Sequence, residues 1–245
     1  MIRLRTFATA AALTLIALGP VAAQGERPVG YLAAEALPDS LMIVSPPPSD
    51  DSETVRAETA GFLASRELEG SPRWAQAAAD AELFGDKAHA SFGCAAGIDI
   101  TVATTPTLSR MLDRVVIDAG RSTGAAKDVY KRTRPMIGND APLCLPREDW
   151  MVTNGSYPSG HAAAGWAWAL VLAELLPGQA NAILMRGREF GDSRAVCGLH
   201  YPSDVAAGQV MGAATVARLH ADAAFLKDLE VARAEVAKAP PPTGC

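Results

Sequence analysis

Three short stretches of the chain hold the residues best able to do chemistry. The first, "KDVYKRTRP" from Lys127 to Pro135, sets Lys127 and Arg134 seven residues apart. On a continuous helix seven steps make nearly two whole turns, so both cations would face one way, about 10 Å apart along the axis. The second, "GSYPSGHAAAGWAW" from Gly155 to Trp168, puts a turn and a capping hydroxyl, Ser159, ahead of Gly160, His161 and a strongly apolar run. A helix start of this kind points unpaired N–H groups and partial positive charge outward, which makes a seat for an anion such as phosphate. Gly160 would let that anion come close to the backbone.

The third stretch, "GDSRAVCGLHYPSD", runs from Gly191 to Asp204. It predicts a helix ending near Cys197, with Gly198 as terminator, and a new helix starting at Pro202. His200 then falls in a tight connection and is expected to be exposed. Asp204, four residues on, can hold one imidazole nitrogen so that the other keeps its lone pair outward, and Arg194 offers a planar donor fork for phosphate oxygens. Each stretch alone has a plainer reading, as a basic last turn, a serine cap or a surface histidine. Their coincidence argues otherwise. Of four histidines, His161 and His200 stand at helix entrances beside such groups. His89 and His220 lack that company and read as surface residues.

The elements that must position these groups are helices. Apolar residues recur at three- and four-residue spacing over about 51–68, 72–92, 106–133, 159–176, 179–197 and 202–236. Only "IDITVATT", Ile98 to Thr105, looks like a strand. The pattern predicts one all-α domain, a single helical bundle over 51–238, preceded by an extended segment over 24–50 and followed by a tail over 239–245 that frays unless Cys245 ties it down. The apolar run Ala162 to Leu176 reads as a buried core helix. It is short for a membrane span and has no companion, so no stable membrane insertion is expected.

At its start the chain reads "MIRLRTFATAAALTLIALGPVAAQ", with Arg3 and Arg5 before an apolar stretch and small residues at 21–23. This predicts a signal peptide over 1–23 and export to the periplasm. The 22 basic and 27 acidic side chains give a net charge of −5, and loss of the two leader arginines takes it to −7. That balance argues against nucleic acid as a partner. Cys94, Cys144, Cys197 and Cys245 all lie in the exported part, where disulfides persist, and can pair in three ways. None has an arginine six positions on, so a thiolate phosphatase is excluded. The apolar helices are compatible with a self-association surface and so with a homo-oligomer.

Taken in order, Lys127, Arg134-Pro135, "PSGH" at Pro158 to His161, and Ser193-Arg194 with His200 and Asp204 resemble the three-part signature of the type 2 phosphatidic acid phosphatase superfamily. "GSYPSGH", "SRAVCGLHYPSD", the leader and the length are similar to the bacterial class A non-specific acid phosphatases, over about residues 85–215. One departure is Ala162, where those enzymes commonly carry threonine. The resemblance implies the helical bundle shared with the vanadium haloperoxidases. It also implies hydrolysis of small-molecule phosphate monoesters with broad specificity in two steps, with His200 as nucleophile, Asp204 orienting it and His161 as acid and then base. Lys127, Arg134, Ser159, Gly160 and Arg194 would hold phosphate, with no metal and no cofactor. His200 must then be neutral and His161 protonated, which predicts opposite environments and an acidic working range. A haloperoxidase is disfavoured because those proteins are generally much longer. A lipid phosphatase would need several spanning helices, and a phosphate-binding module would bind without turnover.

Overall fold

The computed structural model describes residues 28–245, so the leader read over 1–23 lies outside the described residues. Eight helices of seven or more residues form the described bundle: α1 Glu53–Ala64, α2 Pro72–Ala79, α3 Pro106–Ser122, α4 Gly124–Tyr130, α5 Gly160–Leu175, α6 Ala180–Val196, α7 Pro202–Leu219 and α8 Ala223–Val236. The fold is all-α, and no strand occurs among the described residues.

Helix α5 is the axis. It is apolar on every side, so it can be satisfied only at the centre, and it packs against α3, α6 and α7. Trp168 is fully buried at its middle, its indole Nε1 donates to the Leu112 carbonyl at 2.9 Å, and Phe92 and Phe190 pack on its ring. A Cβ at Gly208 of α7 would collide with the Ser159 carbonyl, so only glycine lets α7 approach the start of α5 this closely. That approach lets the Ser159 N–H donate to the Asp204 carbonyl at 2.9 Å and joins the entrances of the two helices. No described helix is long and apolar enough to cross a membrane.

Several sequence expectations are corrected. Residues 98–105 form a turn rather than a strand: the Thr104 hydroxyl donates to the Asp99 carbonyl at 2.8 Å, so side chains take up backbone groups a strand would present to a partner. The helix expected over 72–92 breaks after Ala79, and Gly85 at φ 74° starts a new short helix. That over 202–236 breaks at residues 220–222, where the Asp222 side chain caps α8. The helix expected over 106–133 breaks at Thr123 and ends at Tyr130, because Lys131 turns left-handed at φ 44°. His89 is not a surface residue: it is buried, Nε2 3.0 Å from Asp113 Oδ1, and packed edge-on to Trp168. His220, paired with Glu174, stays at the surface as expected.

The cysteines pair as Cys94–Cys245 and Cys144–Cys197. The first holds the tail to the short helix Gly93–Ala96, and the second staples the connection after α4 to the end of α6. Residues 28–50 strap the bundle: the Tyr31 N–H donates to Asp118 of α3 at 2.7 Å, and Ser40 Oγ accepts the Ala126 N–H of α4 at 2.9 Å.

Candidate active site

Six of the eight residues singled out from sequence, Lys127, Arg134, Gly160, His161, Arg194 and His200, line one cavity of about 930 Å3. Ser159 and Asp204 stand fully buried behind its wall. Lys127 and Arg134 converge there by a route other than the expected one. The chain leaves the helix at Lys131 and runs back irregularly, so Arg134 reaches the cavity from a loop. Its Nε donates to the Asn154 carbonyl at 3.1 Å and its Nη1 to the Leu199 carbonyl at 3.0 Å. Lys127 Nζ donates to the Gly155 carbonyl at 2.6 Å. Gly155 is needed in this crossing, since a Cβ there would lie 2.9 Å from the Lys127 carbonyl oxygen.

His200 is buried, against the expectation of exposure, because the chain after Gly198 turns inward onto Arg134. Its Nε2 lies 2.9 Å from Arg134 Nη1. A guanidinium only donates, so Nε2 presents its lone pair there and the proton sits on Nδ1. Nδ1 faces Ser156 Oγ at 3.4 Å and Asp204 Oδ2 at 3.6 Å, and Ser156 in turn donates to Asp204 Oδ2 at 2.6 Å. Burial, with the charges of Arg134 and Lys127, outweighs Asp204 and lowers the His200 pKa to about 3. Burial works against the Asp204 carboxylate too, but His200, Arg132 and the Ser156 hydroxyl outweigh it and hold its pKa at about 2.

His161 enters from the first turn of α5. Ser159 Oγ caps that helix by accepting the Ala162 N–H at 3.3 Å, so Gly160 and His161 have no acceptor for their N–H groups within the helix. His161 Nε2 donates to the Asp80 carbonyl at 3.1 Å, and the ring stacks on Phe190 with 12° between planes. Burial, then Arg194 and His200, pushes its pKa well below the ordinary value. The two imidazoles therefore do not sit in opposite environments in the free site. Both are held neutral by burial among cations.

Arg194 is 2 % exposed, and its Nε and Nη1 have no hydrogen-bond partner. Buried donors left unmatched are unfavourable, and an oxyanion in the cavity offers acceptors for both. Burial lowers the Lys127 pKa to about 7 and those of Arg134 and Arg194 to about 10, with neighbouring cations adding to each except Arg134, which Asp204 partly supports. Among the described residues no group of three or more His, Cys, Asp or Glu side chains could hold a metal ion.

Four residues that sequence reasoning missed complete the surroundings. Arg132, buried, binds Asp204 Oδ1 at 2.6 Å and Glu58 Oε2 at 2.9 Å, and Glu58 Oε1 accepts the Ser203 N–H at 2.7 Å. Ser156 sits between His200 and Asp204. Asp80, buried after α2, pairs with Arg186 and accepts from Ser193 Oγ at 2.6 Å, which fixes the carbonyl that holds His161. Arg132 and Ser156 lie inside stretches already under suspicion, while nothing local marks Glu58 or Asp80.

A helical bundle that joins two helix entrances over a cation-lined pocket, with a carboxylate-backed imidazole in its wall, is an anion-handling domain. The chain belongs to the PAP2 superfamily, whose model matches residues 103–226, from just before α3 into α8. Among curated proteins it is 41% identical over 202 residues to "Acid phosphatase" of Zymomonas mobilis, covering 82% of this chain and 76% of that one. It is 39% identical over 210 residues to "Non-specific acid phosphatase" of Providencia stuartii, covering 85% of each. The protein of that name in Salmonella typhimurium is 39% identical over 200 residues, 81% of this chain and 80% of that one.

Proposed function

We propose that the protein is an exported, metal-independent acid phosphatase that hydrolyses phosphate monoesters through a phosphohistidine at His200. The observation that carries this reading is the meeting, in one cavity, of a neutral carboxylate-backed His200 and the two unmatched donors of Arg194. In the free site Arg134 occupies the His200 Nε2 lone pair. A bound phosphoryl group gives Arg134 oxygens to hold instead, and frees Nε2 to attack phosphorus as the P–O bond to the alcohol breaks. His161 protonates the departing oxygen. It is neutral in the free site, so the ester's negative charge must draw a proton onto it as the substrate binds. Water then attacks phosphorus, His161 accepts its proton, and the P–N bond breaks. Lys127, Arg134, Arg194 and the N–H groups at the start of α5 hold the equatorial oxygens throughout.

Asp204 keeps His200 in the productive tautomer, directly and through Ser156. Similarity to proteins named acid phosphatases supports the reaction class, and the leader pattern over 1–23 supports export. The test is release of nitrophenol from its phosphate ester with chelator present, and trapping of an acid-labile phosphoenzyme. Turnover in wild type with at least a thousandfold loss in His200→Ala is expected. Full activity in that variant, or activity only with added metal, refutes the scheme.

A further inference from the structure

The cavity, about 930 Å3, is in the size range of sites that enclose a whole organic ligand, about 300–1,000 Å3, so it has room for more than an oxyanion. Its remaining wall is partly apolar. Trp150, Ile137 and Val152 line it and are exposed to 42%, 37% and 69% of their surfaces. Scattered exposed apolar residues are ordinary, but these three share one cavity with the cations. Their placement is also fixed. Met151, 1% exposed, anchors the short helix Trp150–Thr153 in a small core with Phe62, Met136 and Leu199. That anchor leaves its neighbours Trp150 and Val152 outward. The Trp150 indole is held by its Nε1 donating to Glu148 at 2.9 Å and by Arg134, whose guanidinium carbon lies 5.1 Å from the ring centroid. The same Arg134 reaches His200 at 2.9 Å, so the indole lies one side chain away from the oxyanion seat.

We propose that Trp150, Ile137 and Val152 form a subsite for a planar aromatic body carried next to the phosphate, which makes aromatic phosphate monoesters the favoured substrates over small alkyl ones. The inference rests on the phosphatase reading for its turnover and on cavity geometry for its binding. A flat ring can stack on the fixed indole at little ordering cost, while a short alkyl group leaves that wall in water.

Binding and turnover separate the two claims. Calorimetric titration compares benzylphosphonate with methylphosphonate, and kinetics compare benzyl phosphate with ethyl phosphate, whose leaving alkoxides are similar in basicity. Benzylphosphonate should bind about tenfold more tightly. Trp150→Ala should reduce that ratio to below about twofold, Trp150→Phe should keep most of it, and Ile137→Ala should reduce it partially. The last two variants carry the test if Trp150→Ala does not fold. Equal affinities in wild type, or an unchanged ratio in Trp150→Ala, overturn the subsite. A preserved affinity ratio with no turnover of either ester supports the subsite and overturns the phosphatase reading alone.

Discussion

Arg132 Nη1 lies 2.6 Å from Asp204 Oδ1, in an ion pair closed off from solvent. Its other terminal nitrogen binds Glu58, so a carboxylate on α1 reaches His200 through Arg132 and Asp204. Truncating Arg132 to Ala would leave two buried carboxylates without their cation and should destabilise the fold by about 3–5 kcal/mol, read from denaturant unfolding. Glu58→Gln keeps the shape and removes one charge. It should lower kcat about tenfold with KM within about twofold, and an unchanged kcat would assign Glu58 no part in positioning.

Asp204→Asn should leave the helix entrance standing but present His200 in the wrong tautomer. A fall in kcat of about 10²- to 10⁴-fold is expected, with little change in KM. Steady-state kinetics check it, and a mainly KM effect would contradict a role in orienting His200.

Arg194→Lys keeps the charge and loses the fork whose Nε and Nη1 lack partners. Affinity for inorganic phosphate, measured by calorimetry, should fall about tenfold to a hundredfold. Unchanged affinity would remove Arg194 from the oxyanion seat.

The pH response follows from groups held neutral by burial. His200, at about 3, stays unprotonated down to strong acid, while Lys127, at about 7, loses its charge above neutrality. The free-enzyme profile of kcat/KM should therefore run between about pH 3 and pH 7, falling on the alkaline side as the phosphate seat loses a cation. Stability has the opposite sense. His200 and His161 are lowered below their unfolded values, so between about pH 3 and the ordinary histidine pKa the unfolded chain binds more protons. Stability of the ligand-free protein should rise with pH across that window. Bound phosphate favours protonated His161, so the rise in Tm it produces should be larger at pH 5 than at pH 8. A pH-independent increment would contradict proton uptake on binding.

Cys144 and Cys197 are 53 residues apart in sequence. Replacing both with serine should lower stability by about 4 kcal/mol on loop-entropy grounds, measured by thermal unfolding. Because the staple joins the connection carrying Arg134 to the end of the helix carrying Arg194, phosphate affinity should fall as well.

Much of the site was legible because its residues cap or terminate helices, and helix ends have local signatures. Ser159 before an apolar run and Pro202 after Gly198 marked two entrances correctly. The route from Lys127 to Arg134 was not legible: nothing in "KDVYKRTRP" announces that Lys131 adopts a left-handed backbone, and the helix expected to carry both residues on one face in fact ends at Tyr130. The burial of His200 and His89 was hidden for a related reason. Histidine is compatible with either environment, and the partners that decide, Arg134 and Asp113, are distant in sequence. Glu58 and Asp80 act across the bundle and carry no short-range pattern.

The unmatched donors of Arg194, beside the buried Arg134 and the half-buried Lys127, also bear on how a catalytic cycle would end. Under the proposed chemistry the last species in the cavity is inorganic phosphate, which offers the same oxygens as the substrate and relieves the same crowding of positive charge. Free phosphate would then compete with the ester for the same seat, and activity would be throttled wherever it is plentiful.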